Sequence, residues 1–346
     1  MYKFLIYISY SYSIPIGKPL QEEIERRGYE VFWFSEIEST KQYFTKNEKV
    51  LSTVKDILQF NPDIVLTATD NVAHFFPGIK VQIFHGFLSN KRQEMNSHFK
   101  IRGFFDLYTT QGPSTTKIFQ QLAKKYGYFE AIETGWSKVD PLFPDNSLLN
   151  KAFPDKPVIL ISSTFTSSLS LAKNDLVYQE IKRLSQTGKY HFLCVLHPKL
   201  EEEIKLKFQT LENKNFNYFD TSDLVPLFKK ADIMFSDTTS AIVEFLLQEK
   251  PVVTFNTKVP FEHLINVTDV LEIENAIDLA LTKPKKLMQS IQEYIESTHP
   301  YFDGKSSQRV IDASITFLNK DKSHLKSKPL NLIRKYKIRK LLKYYK

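Results

Sequence analysis

Three apolar runs in this sequence end on residues that can hold or move protons: "VQIF" is followed by His85, "FLCVL" by His197 and "DIMFS" by Asp237. An imidazole titrates near neutrality, so it can take or give a proton at physiological pH. One such residue after an apolar run is ordinary loop polarity; three in the same kind of place form a pattern. His74, His98, His191, His263, His299 and His324 have no comparable placement and read as surface or structural residues. Around Asp237, Ser236, Thr238, Thr239 and Ser240 stand directly before the helical stretch "AIVEFLLQEK". Hydroxyls and free backbone N–H groups converge there on the positive end of a helix dipole, which suits a phosphate. A cap alone would need one Ser or Asp. Glu244, one turn in, is placed to hold a ribose hydroxyl pair. Ser114 opens a second such helix after Gly112 and Pro113, and is expected to face the acceptor.

The elements that must position these residues alternate. "YKFLIYI", "EVFWF", "DIVLTA", "KVQIF" and "FDLYTT" read as buried strands, with helical patterns at "KPLQEEIERRG", "KVLSTVKDILQF" and "PSTTKIFQQLAKKYG". A proline-bearing stretch, "VDPLFPDNSLLNKAFPDKP", interrupts this rhythm. It restarts with "VILISS", "YHFLCVLHP", "ADIMFSD" and "PVVTFN", again separated by helical segments. Near-continuous apolar strands alternating with helices predict parallel sheets covered on both faces. The expected fold class is α/β and GT-B-like: two Rossmann-like doubly wound domains facing a central cleft. Residues 1–145 are expected to form one domain, 155–320 a second and 321–346 a basic amphipathic tail. Ligands of such sheets sit outside the carboxyl ends of the strands, where His85, His197 and Asp237 fall.

Composition narrows the partners. Ten of the 47 Lys and Arg residues follow Asp321 with no acid among them, so 37 basic residues face 39 acidic ones in the body. The basicity is a tail, which removes the electrostatic argument for nucleic acid and favours an anionic membrane surface. On a helical wheel Lys335, Arg339, Lys343 and Lys346 gather on one side; Leu330, Ile333, Ile338, Leu341, Leu342 and Tyr345 occupy a broad opposite arc, into which Arg334 and Lys337 intrude and from which Leu332 and Tyr336 stray. A strut packed on the body is the other reading of the same segment. The single cysteine, Cys194, reads as core filler, so a disulfide framework is excluded and an intracellular compartment is expected. "MYKFLIYISYSYSIPIGK" reads as a first strand rather than a signal peptide. No Asp-x-Asp pair, His/Cys cluster, Walker loop or Gly-x-Gly-x-x-Gly stands where it would act, so neither a metal nor another cofactor is expected.

"HGFLSNKR", "ETGWSKVDPLF", "LHPK", "SDTTSAIVEF" with "EKPVVTF", and "YFDGKSSQRVID" occur in that order. Together they resemble the CDP-glycerol glycerophosphotransferase family, which builds teichoic acid-type polyol-phosphate polymers. Three positions depart from the family pattern: Lys91 stands one place late after His85, Lys138 replaces an arginine, and Leu196 stands where an arginine commonly precedes His-Pro. These leave the polyol open: glycerol, ribitol or another.

The resemblance implies transfer of a polyol phosphate from a CDP-activated donor to a hydroxyl of a lipid-linked or saccharide acceptor, with release of CMP. It implies that residues 1–145 are the acceptor domain and 155–320 the nucleotide-donor domain. It implies His85 as general base and His197 as hydrogen-bond donor to the pyrophosphate and the leaving CMP. Thr238, Thr239 and Ser240 would cradle the donor phosphates, with Ser236 in the same set. Asp237 would order that loop or the other side of the site, and Glu244 would bind the ribose. Lys305 and Arg309 would add positive charge to the donor; Lys91, Arg92, Lys138 and Asp140 would serve the acceptor or a phosphate. The enzyme would work in the cytoplasm, on the inner face of the cell membrane. A nucleotide-sugar glycosyltransferase or UDP-sugar 2-epimerase-like enzyme of capsule or lipopolysaccharide synthesis is the alternative on the same fold. A non-catalytic scaffold is a third.

Overall fold

The computed structural model describes residues 1–87, 98–143, 155–257 and 261–345 of the 346-residue chain. Two units divide it: the first holds Met1–Gly86, Asn96–Pro144 and Ser297–Lys346, the second Phe87–Met95 and Asp145–Glu296.

In the first unit the apolar runs become β1 (Lys3–Tyr7), β2 (Glu30–Phe34), β3 (Ile64–Thr67), β4 (Ile79–Gln82), β5 (Leu107–Thr110) and β6 (Glu130–Glu133). All pair in parallel, in the order β2-β1-β3-β4-β5-β6. Every residue of β3, β4 and β5 is buried, as a sheet covered on both faces requires. The helix Ile14–Arg26 lies so close to the sheet that a Cβ on Gly17 would collide with the Trp33 ring. One core cluster joins Leu5, Val65, Phe76, Phe84, Phe105, Tyr108 and Phe119.

The second unit repeats the plan with β7 (Val158–Ser163), β8 (His191–Leu196), β9 (Phe216–Phe219), β10 (Ile233–Ser236), β11 (Val252–Phe255) and β12 (Ile265–Val267). These too are parallel, in the order β12-β11-β10-β7-β8-β9. Cys194 is buried in β8, and burial pushes its thiol pKa up, which suits core filler. In each sheet the order reverses once, between β1 and β3 and between β7 and β10. Those switch points open crevices at the carboxyl ends of the strands.

The C-terminal boundary differs from the expected one. Residues 297–320 pack on the first unit, where the helix Ser306–Asn319 lies on Ile14–Arg26 and the Ser137–Leu142 turn. The reason is a polar joint. Asp140 accepts from the Ser306 and Ser307 N–H groups at 2.8 and 2.6 Å and from the Ser307 hydroxyl at 2.6 Å, so it caps this helix from a distant part of the chain. Gly135, at φ 78°, leaves room for Ser306 and His299, and the Trp136 N–H donates to His299 Nε2 at 3.0 Å.

The tail also belongs to this unit. Lys328 Nζ reaches the Phe104 carbonyl at 2.9 Å and the Asp106 carboxylate at 2.7 Å; Asn331 Nδ2 donates to the Arg102 carbonyl at 2.6 Å. The helix Leu332–Leu341 buries Ile338 in the first unit's core, and Leu342 and Tyr344 pack beside it. Arg339, expected on the free basic side, instead stacks over Phe75 at 4.8 Å. Among the described residues no helix is long and apolar enough to cross a membrane.

Candidate functional site

His85 stands three residues past the end of β4, beyond a kink at Phe84, whose φ of 57° is costly for an aromatic residue. Packing holds that kink: the Phe84 ring stacks on His98 at 5.6 Å and meets Phe119 edge-on at 5.1 Å. Trp136 Nε1 donates to the Phe84 carbonyl at 3.4 Å, and Gln111 Nε2 to the Gly86 carbonyl at 3.0 Å. Strain fixed in this way is characteristic of a positioned side chain. The His85 ring is exposed, with Tyr12 at 6.5 Å between centroids.

His85 lines a cavity of about 580 Å³. The strand ends explain its place. Tyr10 and Tyr12 follow β1, Glu36 follows β2, Asp70 follows β3 and His85 follows β4, so four successive carboxyl ends meet around the first sheet's switch point. Asp70 is paired with Arg102 at 2.7 Å. Glu36 accepts from the Ser9 hydroxyl at 2.5 Å, and burial lifts its carboxyl above the ordinary range. Arg334, Lys337, Ile338 and Leu341 of the tail helix form the remaining wall. Sequence reasoning missed Glu36, Asp70 and Arg102. The strand-end rule that found His85, applied to "EVFWFSE" and "DIVLTATD", would have found the two acids.

In the second unit Asp237 closes β10 at the switch point and is fully buried. Its carboxylate accepts from Ser163 Oγ at 2.5 Å, from the Thr164 N–H at 2.9 Å and from the Leu171 N–H at 2.9 Å. That array tethers the loop after β7. Ser236 is also buried and donates to the Ser162 carbonyl at 2.7 Å, which removes its hydroxyl from the expected donor set. Thr238, Thr239 and Ser240 are half-buried at the start of the helix Ala241–Leu246; Thr238 meets Thr257 Oγ1 at 3.2 Å. Glu244 is buried one turn in. His197 Nδ1 accepts the Lys199 N–H at 3.1 Å, so the neutral ring carries its proton on Nε2, as a hydrogen-bond donor. Phe165, exposed after β7, packs 4.6 Å from His197, and Lys199 Nζ lies 5.5 Å over its ring. These two neighbours also went unread in "ISSTFTS" and "LHPK".

Four expected positions change meaning. Lys305 and Arg309 lie in the first unit, away from their expected place in the donor domain. Arg309 forms a bidentate pair with Asp303 at 2.9 and 3.0 Å and donates from Nε to the Thr134 carbonyl at 2.9 Å, while Lys305 is exposed. Asp140 is consumed by the helix cap, with burial raising its carboxyl pKa. Lys138 lies over the Trp136 ring at 5.3 Å. Ser114 is exposed in the first turn of the helix Pro113–Tyr126. Lys91 and Arg92 lie outside the described residues. Among the described residues no group of three or more His, Cys, Asp and Glu side chains is placed to hold a metal ion.

Comparison with known proteins adds the chemistry. The model of the CDP-Glycerol:Poly(glycerophosphate) glycerophosphotransferase family matches residues 81–263, just over half of the chain. A search of curated proteins gives no match. The wall teichoic acid polymerase TagF superposes with a TM-score of 0.66 at 15% identity, over 92% of this chain and 88% of that one. A His-to-Asn variant of that polymerase soaked with CDPG gives 0.62 at 15% identity, over 91% and 88%. A putative UDP-N-acetylglucosamine 2-epimerase from Listeria monocytogenes gives 0.64 at 14% identity, over 92% and 98%. At such identities these structures establish the fold, which is GT-B-like.

Proposed function

The chain belongs to the CDP-glycerol:poly(glycerophosphate) glycerophosphotransferase family and is a glycerophosphotransferase, and from that premise we propose how its two sites divide the reaction. An acceptor hydroxyl enters the cavity beside His85 and attacks the β-phosphorus of CDP-glycerol. The new P–O bond forms as the bond to the bridging oxygen breaks, the hydroxyl proton passes to His85, and CMP leaves with the bridging oxygen. In the second unit Thr238, Thr239 and Ser240 bind the donor phosphates and Glu244 the ribose, on a loop that Asp237 keeps in place. His197 donates from Nε2 toward the charge developing on the leaving CMP. The observation that carries this reading is the convergence of four strand ends on one cavity with His85 at its rim.

The acceptor is a growing surface polymer of the teichoic acid or capsule type, carried on a lipid at the cytoplasmic face of the membrane. Support comes from the tail helix, whose outer side leaves Leu332, Ile333 and Tyr336 exposed beside Lys340 and Lys343. Apolar and aromatic side chains bordered by cations suit an anionic lipid surface, each cation adding about 1 kcal/mol. The likeness to an epimerase is one of fold, whereas the family match concerns the reaction. The test is to incubate the purified chain with a panel of CDP-polyols and lipid-linked or soluble acceptors and identify the nucleotide released. CMP with a lengthened acceptor is the expected result. Release of a nucleoside diphosphate from a nucleotide sugar would replace this reading with glycosyl transfer.

A further inference from the structure

The tail helix closes the His85 cavity with two cations that no other part of the reaction uses. Arg334 and Lys337 lie one turn apart and both line the cavity, on the same wall as Ile338 and Leu341. Among the described residues neither makes an ion pair: Arg334 bonds the neutral Asn331 side chain at 3.2 Å. The acids in the cavity are otherwise occupied, since Asp70 is held by Arg102 and Glu36 by Ser9. The helix is seated by Ile338, Arg339 and Asn331, and both cations extend from it as exposed side chains beside the cavity. On a helical wheel these are the two basic residues that spoil the amphipathic sorting, and the cavity accounts for them.

We propose that Arg334 and Lys337 form an acceptor subsite for a phosphodiester, holding a backbone phosphate of the acceptor chain while its terminal hydroxyl lies at His85. This rests on the acceptor assignment above and adds to it the two side chains of the tail helix that hold the acceptor's phosphate. A single neutral polyol would lose this contact and be used less well.

The experiment uses the full chain, a soluble oligomer of glycerol phosphate and free glycerol as the uncharged comparison. With R334Q/K337Q, the KM for the oligomer rises about 10-fold or more, as expected for lost charge-assisted contacts. The KM for glycerol stays within about twofold, CMP affinity by calorimetry is unchanged, and R334K/K337R restores the oligomer KM. Binding of the oligomer measured without donor falls in parallel. Unchanged oligomer binding, or an equal rise in KM for glycerol, would overturn the inference. Failure of the wild-type chain to release CMP would instead defeat the reaction assignment, and the donor-free binding measurement would still decide the subsite. If the double variant loses binding to anionic vesicles but keeps the oligomer, the pair serves lipid headgroups and the subsite is wrong.

Discussion

His85 and Asp237 follow strands of the same kind, yet their surroundings give them different work. His85 is exposed at a cavity, whereas Asp237 is buried and accepts from Ser163, Thr164 and Leu171. Replacing Asp237 by Ala would strand the Thr164 and Leu171 N–H groups, each orphaned donor costing about 1–3 kcal/mol. We expect D237A to lower the urea midpoint and to weaken CMP binding through disorder of the β7 loop. Unchanged stability with lost CMP affinity would make Asp237 a direct ligand. The sequence shows which residue types end the strands, because apolar runs are visible. It does not show whether a carboxylate turns inward, since that depends on Ser163 and Leu171, which are distant along the chain. Asp140 was misread for the same reason: its partners lie 166 residues away or more.

At the scale of elements, the buried central strands and the edge strand β2 were plain in the sequence, and the other three edge strands were not. β6 reads "EAIE", β9 "FNYF" and β12 "INV", short and half-exposed segments that lack the continuous apolar run of a covered strand. The tail helix was visible as an element, but its facing was not, because Ile338 finds its partners in the first unit's aromatic core. I338A should cost about 2–5 kcal/mol, the range for truncating a buried Ile, measured by chemical denaturation; a cost near zero would mean that the tail is not docked in solution. Deleting residues 326–346 removes a cavity wall as well as the exposed side proposed to meet the membrane, so it should reduce transfer to soluble and lipid acceptors alike. The proposed membrane role is isolated by L332S/I333S/Y336S. These changes should lower sedimentation with anionic vesicles and leave transfer to a soluble acceptor intact; undiminished sedimentation would remove the tail from membrane binding.

At the scale of the whole molecule, the order of elements was legible and the return of residues 297–346 to the first unit was not, since it is fixed by Asp140, Gly135 and His299 across long sequence distances. His299 is buried and His98 half-buried, and both are held at about 4, below the usual 6.5, with desolvation the main cause. Their native pKa values are depressed, so the stability they confer is full above about pH 6.5 and is lost as pH falls toward 4. Each protonation costs up to about 3 kcal/mol. Unfolding midpoints at pH 7 and pH 5 should show this loss, and H299Q, which keeps an acceptor for the Trp136 N–H, should lessen it; an identical pH slope in H299Q would contradict the assignment.

The central claim is that a hydroxyl at the first unit's cavity is activated by His85 and takes glycerol phosphate from a donor held elsewhere. Its most direct measurement is the rate of CMP release and acceptor lengthening by H85A, taken with CMP affinity on the same sample. H85A should turn over about 100-fold or more slowly, the usual scale for loss of a general base, with CMP bound as tightly as by the wild type. Turnover at the wild-type rate would contradict the claim.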